Sequence, residues 1–300
     1  MTTEFQRLLD AFAAESTFPS SEYLPELWER AVRELDSLPC EHQRTVEPEA
    51  LALWVRDARS LNAWYWGDLV RRADAVLFLV GTKLRELLAS AEEALLSGQL
   101  FVSALLLRAV MEQAASLYVF GELLRTHLDG LQFEKLEAEA MTNKQLEDGL
   151  IQFSHGSRFN WPAFLAGDAD AWADAPEAVR DEHKATNVLT LIDKVAKNPR
   201  YSAFRAVYAL LCEYVHPNLG GHLLYLRKEE PVEGGARLQF NTDSTSRDVV
   251  RFLEPMTGVL LSCLEIVALR LPAIRAFLEP LSGWCKEEVG RSSGSQEVCG

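Results

Sequence analysis

Two pairs of residues in this chain have types and spacing that could do chemistry. Arg108 and Glu112 stand four residues apart, and Glu213 and His216 stand three apart, followed at once by Pro217 and Asn218. On a helix both spacings put the two side chains side by side. A guanidinium held beside a carboxylate can brace a fold or stabilise phosphoryl charge. A histidine at a helix end, beside a carboxylate, can cap the helix or move protons. Glu213-x-x-His216 is also one half of the carboxylate–histidine pattern of helical di-iron sites. No other histidine in the chain has a glutamate three residues before it, so the second half is missing. Cys212, four residues before His216, reads as a small buried hydrophobe.

The elements that must position these residues read as helices. Tyr201 to Val215 contains no Gly or Pro, and its apolar residues recur at helical spacing. Pro217 ends that pattern at His216, and Asn218 with Gly220-Gly221 reads as a turn. A long helix from Asp68 to about Leu96 is separated by Ser97-Gly98 from a second running from Gln99 to about Thr126, an antiparallel pair. The second is apolar almost all round, so Arg108 and Glu112 are expected as a buried, register-locking ion pair.

Ahead of this pair, residues 4–14 and Ser21 to Leu38 form amphipathic helices, the latter capped by Ser20 or Ser21. Glu47 to Trp66 forms a third, ending in Trp64-Tyr65-Trp66, a core anchor. Phe133 to Phe153 is helical, Ser154 to Pro176 is a long excursion, and Pro176 to Lys197 is helical again. A β-hairpin follows, with strands His222–Arg227 and Arg237–Asn241 flanking KEEPVEGGA. The last long helix spans Ser246 to Leu278, with Pro255 and Pro272 as kinks or breaks. The expected class is therefore all-α: a helical bundle with a long antiparallel helix hairpin and a small β-hairpin insertion. The expected organisation is a helical arm over 1–66, a bundle over 67–281 with its hairpin at 222–241, and a disordered tail over 282–300.

Composition narrows the function. The 300 residues are 48% hydrophobic, carry a formal net charge of −14 and have a pI near 5.0, which disfavours RNA as a partner. The chain opens MTTEFQRLLD, without a charged-then-apolar signal segment. Its longest apolar runs, near Ala75–Val80 and Ala104–Leu107, fall short of the ~20 residues of a membrane span, so no membrane is expected. Five scattered cysteines read as free thiols in a reducing cytoplasm. Gly81-Thr82-Lys83 lacks the earlier glycine and the preceding strand of a phosphate loop. Gly290-x-Ser292-x-Gly294 lacks the strand and helix of a nucleophile elbow.

Leu106-Leu107-Arg108-x-x-x-Glu112-x-Ala114, Asn187-Val188-Leu189-Thr190 and Tyr208-x-x-Leu211-Cys212-Glu213-x-x-His216-Pro217-Asn218 together resemble an uncharacterised, widespread family of bacterial all-helical proteins that looks HEPN-like. The resemblance covers roughly residues 68–275. It implies a helical bundle, in a superfamily several of whose members are RNases of toxin or defence systems. The nuclease motif of that superfamily is an arginine, four to six residues, then histidine, and none of the six histidines here has it. Arg205 precedes His216 by about 16 Å of helix. The expectation is thus a non-catalytic or regulatory binding module that dimerises through a helical face and needs no cofactor. Its polar site would be Arg108, Glu112, Glu213, His216 and Asn218. One alternative is a metal-independent RNase with His216 as general acid/base and Arg108 stabilising phosphoryl charge. The other is a metal-binding helical bundle.

Overall fold

A computed structural model describes residues 1–42, 57–155, 167, 186–217 and 219–294. Among these the protein is all-α apart from one two-stranded antiparallel hairpin. The elements are α1 (Thr3–Glu15), α2 (Leu24–Asp36), α3 (Ala58–Leu96), α4 (Leu100–Leu128), α5 (Phe133–Ala138), α6 (Lys144–His155), α7 (Val188–Ala196), α8 (Phe204–Val215), α9 (Leu219–Leu223), β1 (Leu226–Val232), β2 (Gly235–Phe240), α10 (Ser246–Leu253) and α11 (Thr257–Gly294). They divide into two compact units. One comprises Met1–Leu38, Val80–Val119 and Val188–Arg270; the other comprises Pro39–Leu79, Phe120–Asn187 and Leu271–Gly300. The long helices α3, α4 and α11 contribute residues to both.

In the first unit, α1 is capped by Thr2, whose hydroxyl accepts from the Phe5 N–H. Its buried Phe5 meets Trp28 of α2 edge to face at 4.8 Å. Neither Ser20 nor Ser21 caps α2 as expected. Ser20 is left-handed at φ 71°, and Ser21–Tyr23 form a 3-10 turn that leads into Leu24. Gly81 sits where α3 passes Leu38: a Cβ there would lie 2.0 Å from the Leu38 Cδ1, so this glycine serves helix packing. Leu107, Val110, Met111, Val207, Leu211, Met256, Val259, Leu260 and Cys263 line a small apolar void of 10 Å³, with no polar side chain to hold a water.

The hairpin's first strand starts and ends later than expected, and its second starts and ends earlier, so the turn between them is tighter. They meet at a two-residue turn, Glu233-Gly234, with Gly234 at φ 80°, as a type II turn requires at its third position. A bulge between Leu226 and Lys228 turns Arg227 inward. Its guanidinium donates to the Leu224 carbonyl at 2.8 Å and to the Ser244 hydroxyl at 3.1 Å, and pairs with Asp248 at 3.7 Å. Asp248 itself closes a capping box with Thr245 at the start of α10. The bulge thereby fastens the base of the hairpin to the next helix.

In the second unit, the helix expected to end at Trp66 continues without a break through Gly67 to Leu96. Asn62 is buried, and its amide donates to the Leu136 and Glu139 carbonyls while its oxygen accepts from the Met141 N–H. Trp66 Nε1 donates to the Met141 carbonyl at 3.2 Å, and the Tyr65 hydroxyl accepts from the Asn143 N–H at 2.9 Å. These bonds hold the segment between α5 and α6 and explain why the expected single helix Phe133–Phe153 is two. The start of the helix expected from Glu47 and the excursion Ser154–Pro176 lie outside the described residues, save for part of α6 and Gly167.

The C-terminal region departs most from expectation. The tail read as disordered from residue 282 is helical to Gly294. Leu281, Cys285 and Glu288 recur at helical spacing and are all buried. Glu288 receives both Arg59 and Arg291, so its charge is matched where it is buried. Pro272 does not break α11 either. The buried Ile266, Val267, Leu271, Ile274 and Leu278 on both sides of it offset a proline cost of about 3 kcal/mol. Pro255 sits in a 3-10 turn, Glu254–Met256, between α10 and α11.

Among the described residues two helical segments, Leu100–Leu128 and Ser246–Val289, are long and apolar enough to cross a membrane. This exceeds what the short uninterrupted apolar runs suggested. Half and 61% of their most apolar stretches are buried within the fold itself, as in core helices of a bundle.

Candidate functional site

Arg108 and Glu112 project from α4 one turn apart, and α8 brings Tyr208 against both. Arg108 Nε donates to Glu112 Oε1 at 3.2 Å, and the Tyr208 hydroxyl donates to the same oxygen at 2.8 Å. Arg108 Nη2 donates to the Tyr208 hydroxyl at 3.4 Å, and its Cζ stands 5.4 Å from the Tyr208 ring centroid. The three side chains form a closed triangle in which one carboxylate oxygen takes two donors and the guanidinium leans on the ring.

The expectation of a deeply buried pair is corrected here. The Arg108 and Glu112 side chains are 30% and 28% exposed. Leu105 and Val102 on the same helix are exposed as well, so α4 is not enclosed all round. Tyr208, by contrast, is buried. Burial, reinforced by its bond to Glu112, pushes its hydroxyl up to about 12, with Arg108 pulling the other way. Tyr208 is therefore neutral at pH 7 and is no base there. Cys212, one turn further along α8, is half-buried and lies within electrostatic reach of Arg108.

Glu213 and His216 do not join this triangle. His216 caps the end of α8, with φ −79° and ψ 151°, and its N–H donates to the Cys212 carbonyl at 3.0 Å. It stands eight residues beyond Tyr208, about 12 Å along the axis. Both Glu213 and His216 are exposed. The capping role read from the sequence is present. Asn218 lies outside the described residues. Gly220-Gly221 form no simple turn but belong to α9, which folds back onto the end of α8. A Cβ at Gly220 would sit 2.8 Å from the Glu213 carbonyl oxygen, and one at Gly221 2.8 Å from that of His216.

The structure thus unites two of the five expected site residues, adds Tyr208 and sets His216 apart. Tyr208 carried a signal: it lies on the side of its helix that also holds Cys212 and Arg205. Arg227 carried none, since only the bulge turns it inward. Among the described residues no three His, Cys, Asp or Glu side chains converge as a metal site would require. No family model, no curated protein and no solved structure matches the chain. What the fold and the site define together is an all-α bundle in which a tyrosine of one helix bonds to an ion pair on another.

Proposed function

We propose that this protein is a non-catalytic interaction module of HEPN-like architecture acting in the cytoplasm. In this reading the Arg108–Glu112–Tyr208 triangle is a brace rather than a reaction centre. The observation that carries it is the commitment of Arg108: its charge is matched by Glu112, and its plane leans on Tyr208. A guanidinium so engaged is poorly placed to receive charge developing on a phosphoryl group. Tyr208, held neutral, supplies no base near pH 7, and His216 stands at the far end of its helix. The acidic balance of the chain weighs against RNA as its partner. Cys40, Cys212, Cys263 and Cys285 as free thiols suit a reducing compartment.

The test is incubation of the full chain with single- and double-stranded RNA, beside Arg108→Ala and His216→Ala. The expected result is no cleavage by any of the three. Cleavage by the native chain that His216→Ala abolishes while leaving the fold intact would replace this reading with the RNase one.

A further inference from the structure

The hairpin presents two unlike edges. The pair that closes a two-residue turn is of the hydrogen-bonded kind, so Val232–Gly235, Glu230–Arg237 and Lys228–Gln239 turn their backbone groups toward each other. The positions between them turn theirs outward: Glu229 and Pro231 on β1, Ala236 and Leu238 on β2. Pro231 has no N–H, and a charged residue is its outward-facing neighbour, the usual means of closing an edge to further strands. The β2 edge has neither device. All six of its residues are exposed, and among the described residues no further strand pairs with it. Leu238 and Phe240, on one face of β2, are 48% and 51% exposed. The groove of 580 Å³ beside Phe240, lined by His222, Tyr225, Asn241 and Thr242, leaves that end of the edge unobstructed.

We propose that β2 pairs antiparallel with β2 of a second copy of this chain, about a two-fold axis at Leu238, giving a continuous four-stranded sheet. This rests on the reading of the protein as an interaction module and names its partner. Two features favour a second copy over a foreign strand. The first is self-complementarity. With the axis at Leu238, each Leu238 faces its mate, Arg237 faces Gln239 and Ala236 faces Phe240, so no like charges meet. The alternate residues Ala236, Leu238 and Phe240 of both copies then line one apolar stripe. The second is charge. Residues 226–240 hold three basic side chains (Arg227, Lys228, Arg237) and three acidic ones (Glu229, Glu230, Glu233), a neutral island on a chain of net charge −14. Two copies approach there against less repulsion than over an acidic surface.

The experiment is sedimentation of the full chain across a concentration range of about 1 to 200 µM, where a small edge-to-edge contact of this kind would show. The expected result is a concentration-dependent shift from 33.6 kDa to twice that mass. Leu238→Lys, which sets two like charges across the axis, should weaken dimerisation at least about tenfold. Val232→Thr on the opposite strand, which keeps the charge of the hairpin, should leave it unchanged. Amide hydrogen exchange gives an independent readout: the Ala236 and Leu238 N–H groups should slow as concentration rises, and that of Glu229 should not. A monomer at every concentration overturns the proposal, and so does a dimer that Leu238→Lys leaves intact with those two amides unprotected. Either outcome leaves the RNA result untouched, so the two readings fail separately.

Discussion

Glu112 Oε1 accepts from both Tyr208 and Arg108, so a single carboxylate oxygen ties α8 to α4 across 96 residues of sequence. Removing one donor should leave the other in place. Tyr208→Phe is expected to destabilise the fold by about 1 to 2 kcal/mol, since the lost bond is one to a charged acceptor from a buried ring. Arg108→Ala should cost less than the figure for a sealed ion pair, because water reaches both partners. Urea denaturation of the two single variants and the double variant would measure their coupling. Strict additivity would contradict the shared-oxygen triangle.

The same tyrosine predicts alkaline behaviour. Its folded pKa of about 12 lies above the ordinary value of 10.0, so the unfolded chain loses this proton first. Stability is full below pH 10 and falls as pH rises through about 12. A difference titration of tyrosinate absorbance between the native chain and Tyr208→Phe should show one component with its midpoint near 12. A midpoint near 10 would mean that the hydroxyl is not held as described.

At the acid end one relevant group is Asp248. Burial raises its carboxyl, but the Thr245 N–H and hydroxyl, with Arg227 and Arg251 nearby, outweigh that and hold it below the usual carboxylate range. Its contribution is present above the unfolded carboxylate pKa and is lost as pH falls through the lower folded value. Asp248→Asn should cost about 1 kcal/mol at pH 7, as loss of a cap does, and should flatten the acid limb of the stability profile. An unchanged acid limb would show that the box carries no linkage.

The C-terminal helix offers a truncation test. A chain ending at Leu281 loses the buried Cys285 and Glu288 and leaves Arg59 only its pairing with Glu137 at 3.2 Å. It should be less stable than the full chain by about 3 kcal/mol or more. Thermal melts of both would decide it, and equal melting of the shorter chain would return residues 282–294 to the status of a tail.

Thiol reactivity separates the cysteines. Burial alone drives the Cys263 thiol far up, and mainly burial pushes Cys285 to about 12, whereas Cys40 is exposed. An alkylating reagent at neutral pH should modify Cys40 in the native protein, and Cys263 and Cys285 only after unfolding. Modification of Cys263 at the rate of Cys40 would contradict the packing around it.

By itself, the sequence determined the features that are local. Helical spacing of apolar residues identified the all-α class, and the i, i+4 offset put Arg108 beside Glu112, because a helix makes neighbours of residues one turn apart. Pro217 marked the end of α8 at His216 for a similarly local reason. Tertiary structure decided what depends on residues far apart in the chain. Tyr208 completes the triangle only because α8 lies against α4. The region after Leu281 stays helical because Arg59 meets Glu288, and Pro272 is tolerated because apolar partners bury α11 on both sides of it. The inward turn of Arg227 and the open β2 edge follow from hairpin register, which a bulge and a turn decide together. Periodicity shows which face of an element is apolar, but not what will cover it.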